Sequence, residues 1–137
     1  MQKNVKLSIL TPEKVFFDGE VSQIVAVTPE GEMGIMAGHM PSIAVVSDSL
    51  LKVEENGTWR SAALGQGIMD VSAAGIEFFV DTAEWDEEID VQRSEKALHR
   101  AEDRLHNGNL SHAEYVRTHT AIARATARLK TAHSKKH

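Results

Sequence analysis

The chain has 137 residues, of which 42% are hydrophobic and 26% charged, with a formal net charge of −5 and no cysteine. This length fits one domain, or a compact domain with an appendage. The absence of cysteine excludes disulfides and thiolate metal sites, and no apolar run approaches the roughly 20 residues that span a bilayer.

The charge is unevenly distributed along the chain. Residues 1–90 contain 5 basic and 16 acidic side chains, whereas residues 115–137 contain 6 basic and no acidic ones. A short basic end favours an acidic protein surface, nucleic acid or an anionic lipid as partner. The acidic remainder argues against nucleic acid as the main partner.

The first 83 residues show the alternation and turn punctuation of short β-strands. Asp18-Gly19 predicts a hairpin turn between strands at 15–17 and 21–27, and Asn56-Gly57 is the strongest hairpin signal in the chain. Ala74-Gly75 predicts a further turn. The other predicted strands cover residues 5–9, 43–46, 50–53, 59–64, 68–71 and 76–80. Roughly eight to ten strands at this spacing predict an all-β sandwich or flattened barrel.

The segment Glu30–Pro41, EGEMGIMAGHMP, is neither clearly strand nor clearly helix. Its three glycines suit irregular turns, so it could bind phosphate, bind a metal, or dock on another protein. It has no Gly-Lys-Ser or Gly-Lys-Thr, and Glu30 and Glu32 would repel a phosphate. A lone histidine in such a loop, His39, is more often structural than a general base.

The alternation ends in an acidic stretch at residues 81–88. Asp90 is a predicted N-cap for a helix over residues 91–105, which Gly108 ends. Ser111 and Glu114 form a Ser-x-x-Glu capping box for a second helix. Its apolar repeat predicts a coiled-coil-like seam: Tyr115, Thr118, Ile122, Ala125, Leu129 and Ala132. We therefore divide the chain into a β domain at 1–84, a linker at 85–89 and an α-helical hairpin at 90–137.

Four arginines recur at helical spacing in the predicted hairpin. Arg93 and Arg100 are seven residues apart, and Arg124 and Arg128 are four apart. Antiparallel folding could gather all four around an anion, with Asp90 beside them as a cap or a ligand acceptor. The alternative is a solvated basic face, which the spacing alone favours. Histidines two turns apart are about 10 Å apart, too far to share one metal ion, and no metal is expected.

Several segments together resemble the epsilon subunit of bacterial F-type ATP synthase. Gly31-Glu32-Met33-Gly34-Ile35, followed by Gly38-His39 and Pro41, is similar to the family's "GE-hydrophobic-GI…PGH-x-P" segment. Three further segments match in order, and the resemblance covers essentially the whole chain: LGQGIMDV at 64–71, VDTAE at 80–84 and IDVQR at 89–93. Two positions depart from the family pattern. Ala37 replaces a proline, and Ser94 replaces an alanine.

The resemblance implies a β-sandwich followed by a helical hairpin, in a subunit that is not catalytic by itself. It implies that the sandwich docks on the gamma subunit and the c-subunit ring through the loop residues Glu32, Gly34, Gly38 and His39. It also implies a peripheral position on the cytoplasmic face of the bacterial plasma membrane, in a complex that couples proton transport to ATP synthesis.

The resemblance further implies that the hairpin adopts two states. Extended, its basic end would contact acidic segments of the beta subunits, beside the alpha subunits, and block ATP hydrolysis. From the charge of residues 115–137, the candidate contacts are Arg117, Arg124 and Arg128. Folded, the hairpin binds ATP in some bacteria, with or without magnesium. The candidate ATP ligands here are the residues that the helical spacing could gather around an anion, Asp90, Arg93, Arg100, Arg124 and Arg128, and Ser94 bears on the affinity. No cofactor is required.

Two other classes of function compete with this interpretation. One is an unrelated adaptor, a β-sandwich whose basic helical tail binds an acidic protein partner. The other is a small hydrolase that uses His39 and a nearby carboxylate such as Glu32 or Asp48. Co-purification with a six-headed ATPase would reject the adaptor, and absence of turnover would reject the hydrolase.

Overall fold

The structure, a computed structural model, describes residues 4–28, 31–36 and 41–134. Ten strands form two five-stranded sheets, ordered β2-β1-β9-β8-β5 and β10-β7-β6-β3-β4. All neighbouring strands pair antiparallel except β1 and β9. The strands are β1 (Val5–Leu10), β2 (Val15–Val21), β3 (Gln23–Thr28), β4 (Gly31–Met36), β5 (Ser42–Val46), β6 (Ser49–Glu55), β7 (Thr58–Leu64), β8 (Gly67–Ser72), β9 (Gly75–Val80) and β10 (Ala83–Trp85).

The two sheets enclose one apolar core, which confirms the predicted sandwich. Strand β9 shows how the sequence builds it: Ile76, Phe78 and Val80 are buried, while Phe79 between them is on the outer surface. Alternate residues of a strand point to opposite faces of its sheet, so this pattern supplies one face to the core. The largest fully buried side chains come from both sheets: Phe78, Leu7, Ile9, Ile24, Leu51, Leu64 and Ile76.

The predicted hairpin turns have different outcomes. The Asn56-Gly57 turn is confirmed, since both residues have positive φ, 50° and 82°, as a two-residue type I′ turn requires. The turn at Asp18-Gly19 is wrong, because both residues lie within β2 and pair with β1. A Cβ on Gly19 would lie 3.3 Å from the Phe17 ring, so this glycine permits close packing rather than a turn.

Two further predictions need correction. The turn expected at Ala74-Gly75 lies one residue earlier, because Gly75, with φ 131°, pairs with Ser72 at the start of β9. Half of the segment interpreted as a loop, Gly31–Met36, is strand β4, which pairs with β3 at the edge of its sheet. The alternation of polar and apolar residues in this strand was obscured by its glycines and methionines.

Two helices follow the sheets: α1 (Val91–Asn107) and α2 (His112–Ser134). The predicted cap is confirmed, since Asp90 Oδ1 accepts a hydrogen bond from the backbone N–H of Arg93 at 3.0 Å. The capping box is also confirmed, with reciprocal bonds of 3.2 Å between Ser111 and Glu114. Gly108, with φ 70°, ends α1 as expected. Among the described residues, neither helix is long and apolar enough to cross a membrane.

Helix α2 has two buried sides, of which the sequence revealed one. Thr118, Ala125 and Ala132 of the predicted seam are buried, although Tyr115 remains 47% exposed. Ala127 and Thr131 are buried as well, and α2 contacts β6 and β7 as well as α1. The hairpin is therefore folded down on the outer face of the second sheet.

The predicted linker between the sandwich and the helices contains regular secondary structure. Trp85, the first residue of the predicted linker, is the last residue of β10 and pairs with Ala62. Its ring stacks on Phe16 at a centroid distance of 4.6 Å, and the Arg60 guanidinium lies 3.6 Å from its centre. A single turn of 3₁₀-helix at Asp86–Glu88 then leads to Asp90.

Candidate functional site: an arginine groove and two docking surfaces

A groove of about 390 Å³ lies where β10 and the 3₁₀ turn meet the two helices. Three of the four predicted arginines line it, two from α1 and one from α2. Its lining consists of Glu84, Glu88, Asp90, Arg93, Ser94, Ala97, Arg100 and Arg128. The volume is within the range of small-molecule sites. We call this the arginine groove.

The carboxylates of the arginine groove already have partners. Asp90 caps α1, and Glu88 Oε1 accepts a hydrogen bond from the backbone N–H of Trp85 at 2.8 Å. Arg128 Nε donates to Glu84 Oε1 at 2.7 Å. Within the described part of the chain, Arg93 and Arg100 have no carboxylate partner. Two guanidinium groups are thus available to an anion, and a third could be exchanged from Glu84.

Ser94, where the family pattern has alanine, lies in this lining and is buried. Its hydroxyl donates to the backbone carbonyl of Asp90 at 3.0 Å. Because the hydroxyl is directed at the helix backbone, the serine adds no unsatisfied polar group to the groove.

Arg124 does not share the arginine groove. Its Nε donates to Asp48 Oδ1 at 3.2 Å, and its terminal nitrogen pairs with Asp81 Oδ2. Both carboxylates belong to loops of the sandwich. Folding of the hairpin therefore gathers Arg93, Arg100 and Arg128, and directs Arg124 to an adjoining acidic site.

The side chain of Asp48 is only 3% exposed. Burial raises the pKa of Asp48 above its ordinary value of 3.8, although the charge of Arg124 acts in the opposite direction; the charge of Asp81 also raises it. A hydrogen bond from Gln66 Nε2, at 3.5 Å, favours the ionised form. The pairing of Asp48 with Arg124 argues against the hydrolase interpretation, because a carboxylate that already binds a guanidinium group is not available as a general base.

Arg117 is exposed and lies apart from the other two arginines of the predicted beta-subunit contact. It lines a groove of about 520 Å³ between α1 and α2, beside Arg100, Arg104 and Asp103. Arg124 and Arg128, in contrast, face the sandwich. In the folded hairpin the three residues therefore do not form one surface.

The docking residues predicted from the resemblance are only partly described. Glu32 and Gly34 are exposed on edge strand β4, opposite Val27 and Val25 of β3. Gly38 and His39 lie outside the described residues. Since β4 is at the edge of the described sheet, its side facing away from β3 is open to a partner at Glu32 and Gly34.

A second candidate docking surface was not predicted from the sequence. Val45, Ile68 and Phe79 form a cross-strand row on the outer face of the first sheet, with exposures of 89%, 43% and 40%, and Ile43, at 73%, lies on the same strand as Val45. We call these four residues the apolar row. Contiguous exposed apolar residues of this kind mark interaction sites. The signal was present in β5, whose sequence SIAVV is apolar at consecutive positions and therefore on both faces.

Comparisons with known proteins cover nearly the whole length of the chain. The model described as ATP synthase, Delta/Epsilon chain, beta-sandwich domain matches residues 4–86, and the model for the long alpha-helix domain matches residues 87–133. The chain is 41% identical over 123 residues to the ATP synthase epsilon chain of Ruminiclostridium cellulolyticum, covering 90% of this chain and 91% of the relative. It is also 41% identical over 131 residues to that of Caldicellulosiruptor bescii, covering 96% and 95%.

Two solved assemblies contain chains of similar fold. One is the Euglena gracilis mitochondrial ATP synthase, comprising OSCP, F1 and c-ring, with a TM-score of 0.78 and 25% identity over 98% of this chain and 82% of that chain. The other is the central stalk and c-ring of the Tetrahymena thermophila mitochondrial ATP synthase, with a TM-score of 0.60, 19% identity, and coverage of 96% and 98%. The second likeness concerns the fold alone.

Proposed function

Because the chain belongs to the ATP synthase delta/epsilon chain family, we propose that it is the non-catalytic epsilon subunit in the central stalk of a bacterial, proton-translocating F-type enzyme. In this role it joins the gamma subunit to the c-subunit ring on the cytoplasmic face of the plasma membrane. The observation that carries the proposal is the match of both domains, in order, to the two family models.

The apolar row is the proposed contact with the gamma subunit. It lies on the first sheet, whereas the hairpin covers the second, so the folded hairpin leaves the row accessible. Val45 and Ile43 on β5 are the most exposed apolar side chains of the described chain. Covering them with a permanent partner would remove the cost of their hydration.

The proposed contact with the c-subunit ring is the segment that begins with β4. Glu32 and Gly34 are exposed on the edge of the second sheet, and Gly38 and His39 follow in the chain. A polar, glycine-rich edge suits a contact with polar loops, because it buries no large apolar patch. This surface and the apolar row belong to different sheets, so one sandwich can contact both partners.

Reconstitution of the enzyme tests the two roles of the chain together. The full chain and a chain ending at residue 90 should both join the complex, since the sandwich has its own core, and the shorter chain should permit faster ATP hydrolysis. Full chain carrying Ile68→Asp should fail to join, because it places a charge in the apolar row. Exposed Glu20→Gln on β2 is the control. If the shorter complex hydrolyses ATP no faster than the intact one, the hairpin does not inhibit.

Inhibition by the extended hairpin would follow from its charge. Residues 115–137 carry six basic and no acidic side chains. In the folded state, Arg124 and Arg128 are paired with carboxylates of the sandwich. Extension would exchange these carboxylates for acidic segments of the beta subunits, with Arg117 adding a contact that has no counterpart on the sandwich.

ATP is the proposed regulatory ligand of the arginine groove. Phosphate oxygens would bind Arg93 and Arg100, and displace Glu84 from Arg128. Because the groove lies between sandwich and hairpin, a bound nucleotide would stabilise the folded state. Magnesium could accompany the phosphates through the carboxylates of the groove.

Calorimetric titration of the full chain with ATP tests the groove. Arg93→Gln or Arg100→Gln should weaken binding by about tenfold or more, because each removes a charged hydrogen-bond donor. Arg104→Gln, on the same helix but outside the lining of the groove, should leave the affinity unchanged. Equal loss in all three variants would indicate a general electrostatic effect, and absence of heat in the parent would remove ATP as the ligand.

A further inference from the structure

We propose that the sandwich carries an acidic socket that docks the helical hairpin without any nucleotide, by holding Arg124 between Asp48 and Asp81. The socket consists of Asp48, Gly65, Gln66 and Asp81. It adjoins the arginine groove, because Arg128 lies in the lining of both, but Arg124 itself does not line the groove. The inference depends on the proposed function only in treating the hairpin as able to leave the sandwich.

Three loops at one end of the sandwich build the socket. Asp48 lies between β5 and β6, Gly65 and Gln66 between β7 and β8, and Asp81 between β9 and β10. Two backbone hydrogen bonds join the last two loops: Gly65 N–H donates to Thr82 O at 2.8 Å, and Asp81 N–H to Gln66 O at 2.9 Å. The residues of the socket therefore all come from the sandwich, and two of its three loops are joined by bonds that do not involve the hairpin.

Gly65 has a specific role in this arrangement. A Cβ at this position would overlap the carboxylate of Asp81 and the hydroxyl of Thr82. Its φ is not in the left-handed region, so backbone conformation does not require glycine there. The missing side chain instead provides the space that Asp81 needs to point at Arg124.

The charges explain why Arg124 is held. Asp48 and Asp81 each carry a carboxylate at one end of the sandwich, and a folded state with no cation between them would place two negative charges together. Arg124 pairs with both carboxylates and offsets one of their two charges, and its side chain is only 29% exposed. Removing the cation leaves Asp48 buried without a counter-charge, which is much more costly than losing a surface ion pair.

The docked fraction of the isolated full chain measures the socket directly. Because the chain has no cysteine, two can be introduced at exposed positions, Thr58 on the sandwich and Ala121 on α2, for spin labels. Double electron–electron resonance without nucleotide should give one short distance in the parent. Arg124→Gln should shift the ratio of docked to undocked chain by about tenfold, a smaller effect than for a fully buried pair because Arg124 keeps partial exposure.

A matched control separates the socket from general charge effects. Arg117→Gln removes the same charge from the same helix, two turns earlier, and should leave the distance distribution unchanged. Gly65→Ala should act like Arg124→Gln without altering any charge. Asp48→Asn combined with Arg124→Gln should shift the ratio by less than the product of the single changes, since the two residues share one interaction.

Each outcome decides the proposal. If Arg124→Gln and Gly65→Ala both leave the parent distribution intact, the socket does not dock the hairpin. If Arg124→Gln disturbs the sandwich, the near-ultraviolet signal to which Trp85 contributes is lost. Gly65→Ala and Asp81→Asn then test the socket instead, because Asp81 is 42% exposed and tolerates change. Failure of ATP to bind the parent would contradict the nucleotide proposal and leave the socket result standing.

Discussion

The sandwich and the helical hairpin are stabilised by different kinds of contact. The sandwich encloses Phe78, Leu7 and Ile9, which are almost fully buried between two sheets. Apart from Ser94, the buried residues in the described part of the hairpin are alanine and threonine, and the larger apolar residues Leu98, Ile122 and Leu129 are only half-buried. Buried apolar area contributes about 25 cal/mol per Å², so alanine contacts supply little. A strongly held platform therefore carries a weakly held hairpin.

This difference suits a regulatory element. The hairpin meets the sandwich through small side chains and ion pairs, which can be exchanged for another partner's carboxylates without exposing a large apolar surface. The sandwich must instead keep its shape, because both of its proposed contact surfaces are carried by its two sheets. The small residues at this interface are thus the feature that the proposed release of the hairpin requires.

The largest expected effect concerns the sandwich core. Leu51→Ala should lower the free energy of unfolding of the sandwich by about 2–5 kcal/mol, because Leu51 is fully buried and the cavity cannot collapse easily. Leu129→Ala on α2 should cost much less, since Leu129 is only half-buried. Urea unfolding followed by Trp85 fluorescence measures the first, and far-ultraviolet circular dichroism the second. Equal costs would mean that the hairpin is as tightly packed as the sandwich.

Some features of the sandwich and of the hairpin could be predicted from the sequence, and others could not. The capping pattern of Asp90 and of Ser111 with Glu114 is local, so the helix starts were predicted correctly. The Asn56-Gly57 turn is local as well. Strand β4 was missed because its residues Gly31–Met36 satisfy their hydrogen bonds with β3, a partner that no local pattern reveals.

The candidate sites follow the same rule. Helical spacing brought Arg93 and Arg100 to one face, which the structure also shows, because that relation lies within one helix. The position of Arg124 depends on Asp48 and Asp81, 76 and 43 residues away in the chain. Only the three-dimensional arrangement of three loops could place them, and spacing within α2 carries no information about it.

A smaller effect concerns how the contribution of Asp48 to the free energy of unfolding depends on pH. Its pKa is raised in the folded chain because burial outweighs the attraction of Arg124. The stability that this group contributes is therefore fully present below its ordinary pKa of 3.8 and is lost as the pH rises through the folded value. The free energy of unfolding of the parent, minus that of Asp48→Asn, should fall as the pH is raised from about 4.

The control for this measurement is Asp18→Asn, which removes the same charge from an exposed position on β2. Its difference from the parent should not follow the trend of Asp48→Asn. A difference that grows with pH for Asp48→Asn would show that the attraction of Arg124 exceeds the cost of burial. The socket would then be a source of net stability as well as a specific contact.

The smallest expected effect lies at the start of α2, where the hairpin depends on its own local contacts. Backbone and side-chain hydrogen bonds with Ser111 lower the pKa of Glu114, an exposed residue. A lowered pKa means that the stabilisation is present above the ordinary value of 4.5 and is lost as the pH falls through the folded value. Amide hydrogen exchange at Tyr115, whose N–H donates to Ser111 O at 2.9 Å, should therefore lose protection on acidification after correction for the intrinsic rate. Glu114→Gln should remove most of this pH dependence, whereas Glu95→Gln on α1 should leave it intact. Glu114→Gln should not change the stability of the sandwich, because among the described residues this exposed carboxylate is hydrogen-bonded only to Ser111. If the substitution weakened both regions in parallel, the hairpin and the sandwich would unfold as one unit.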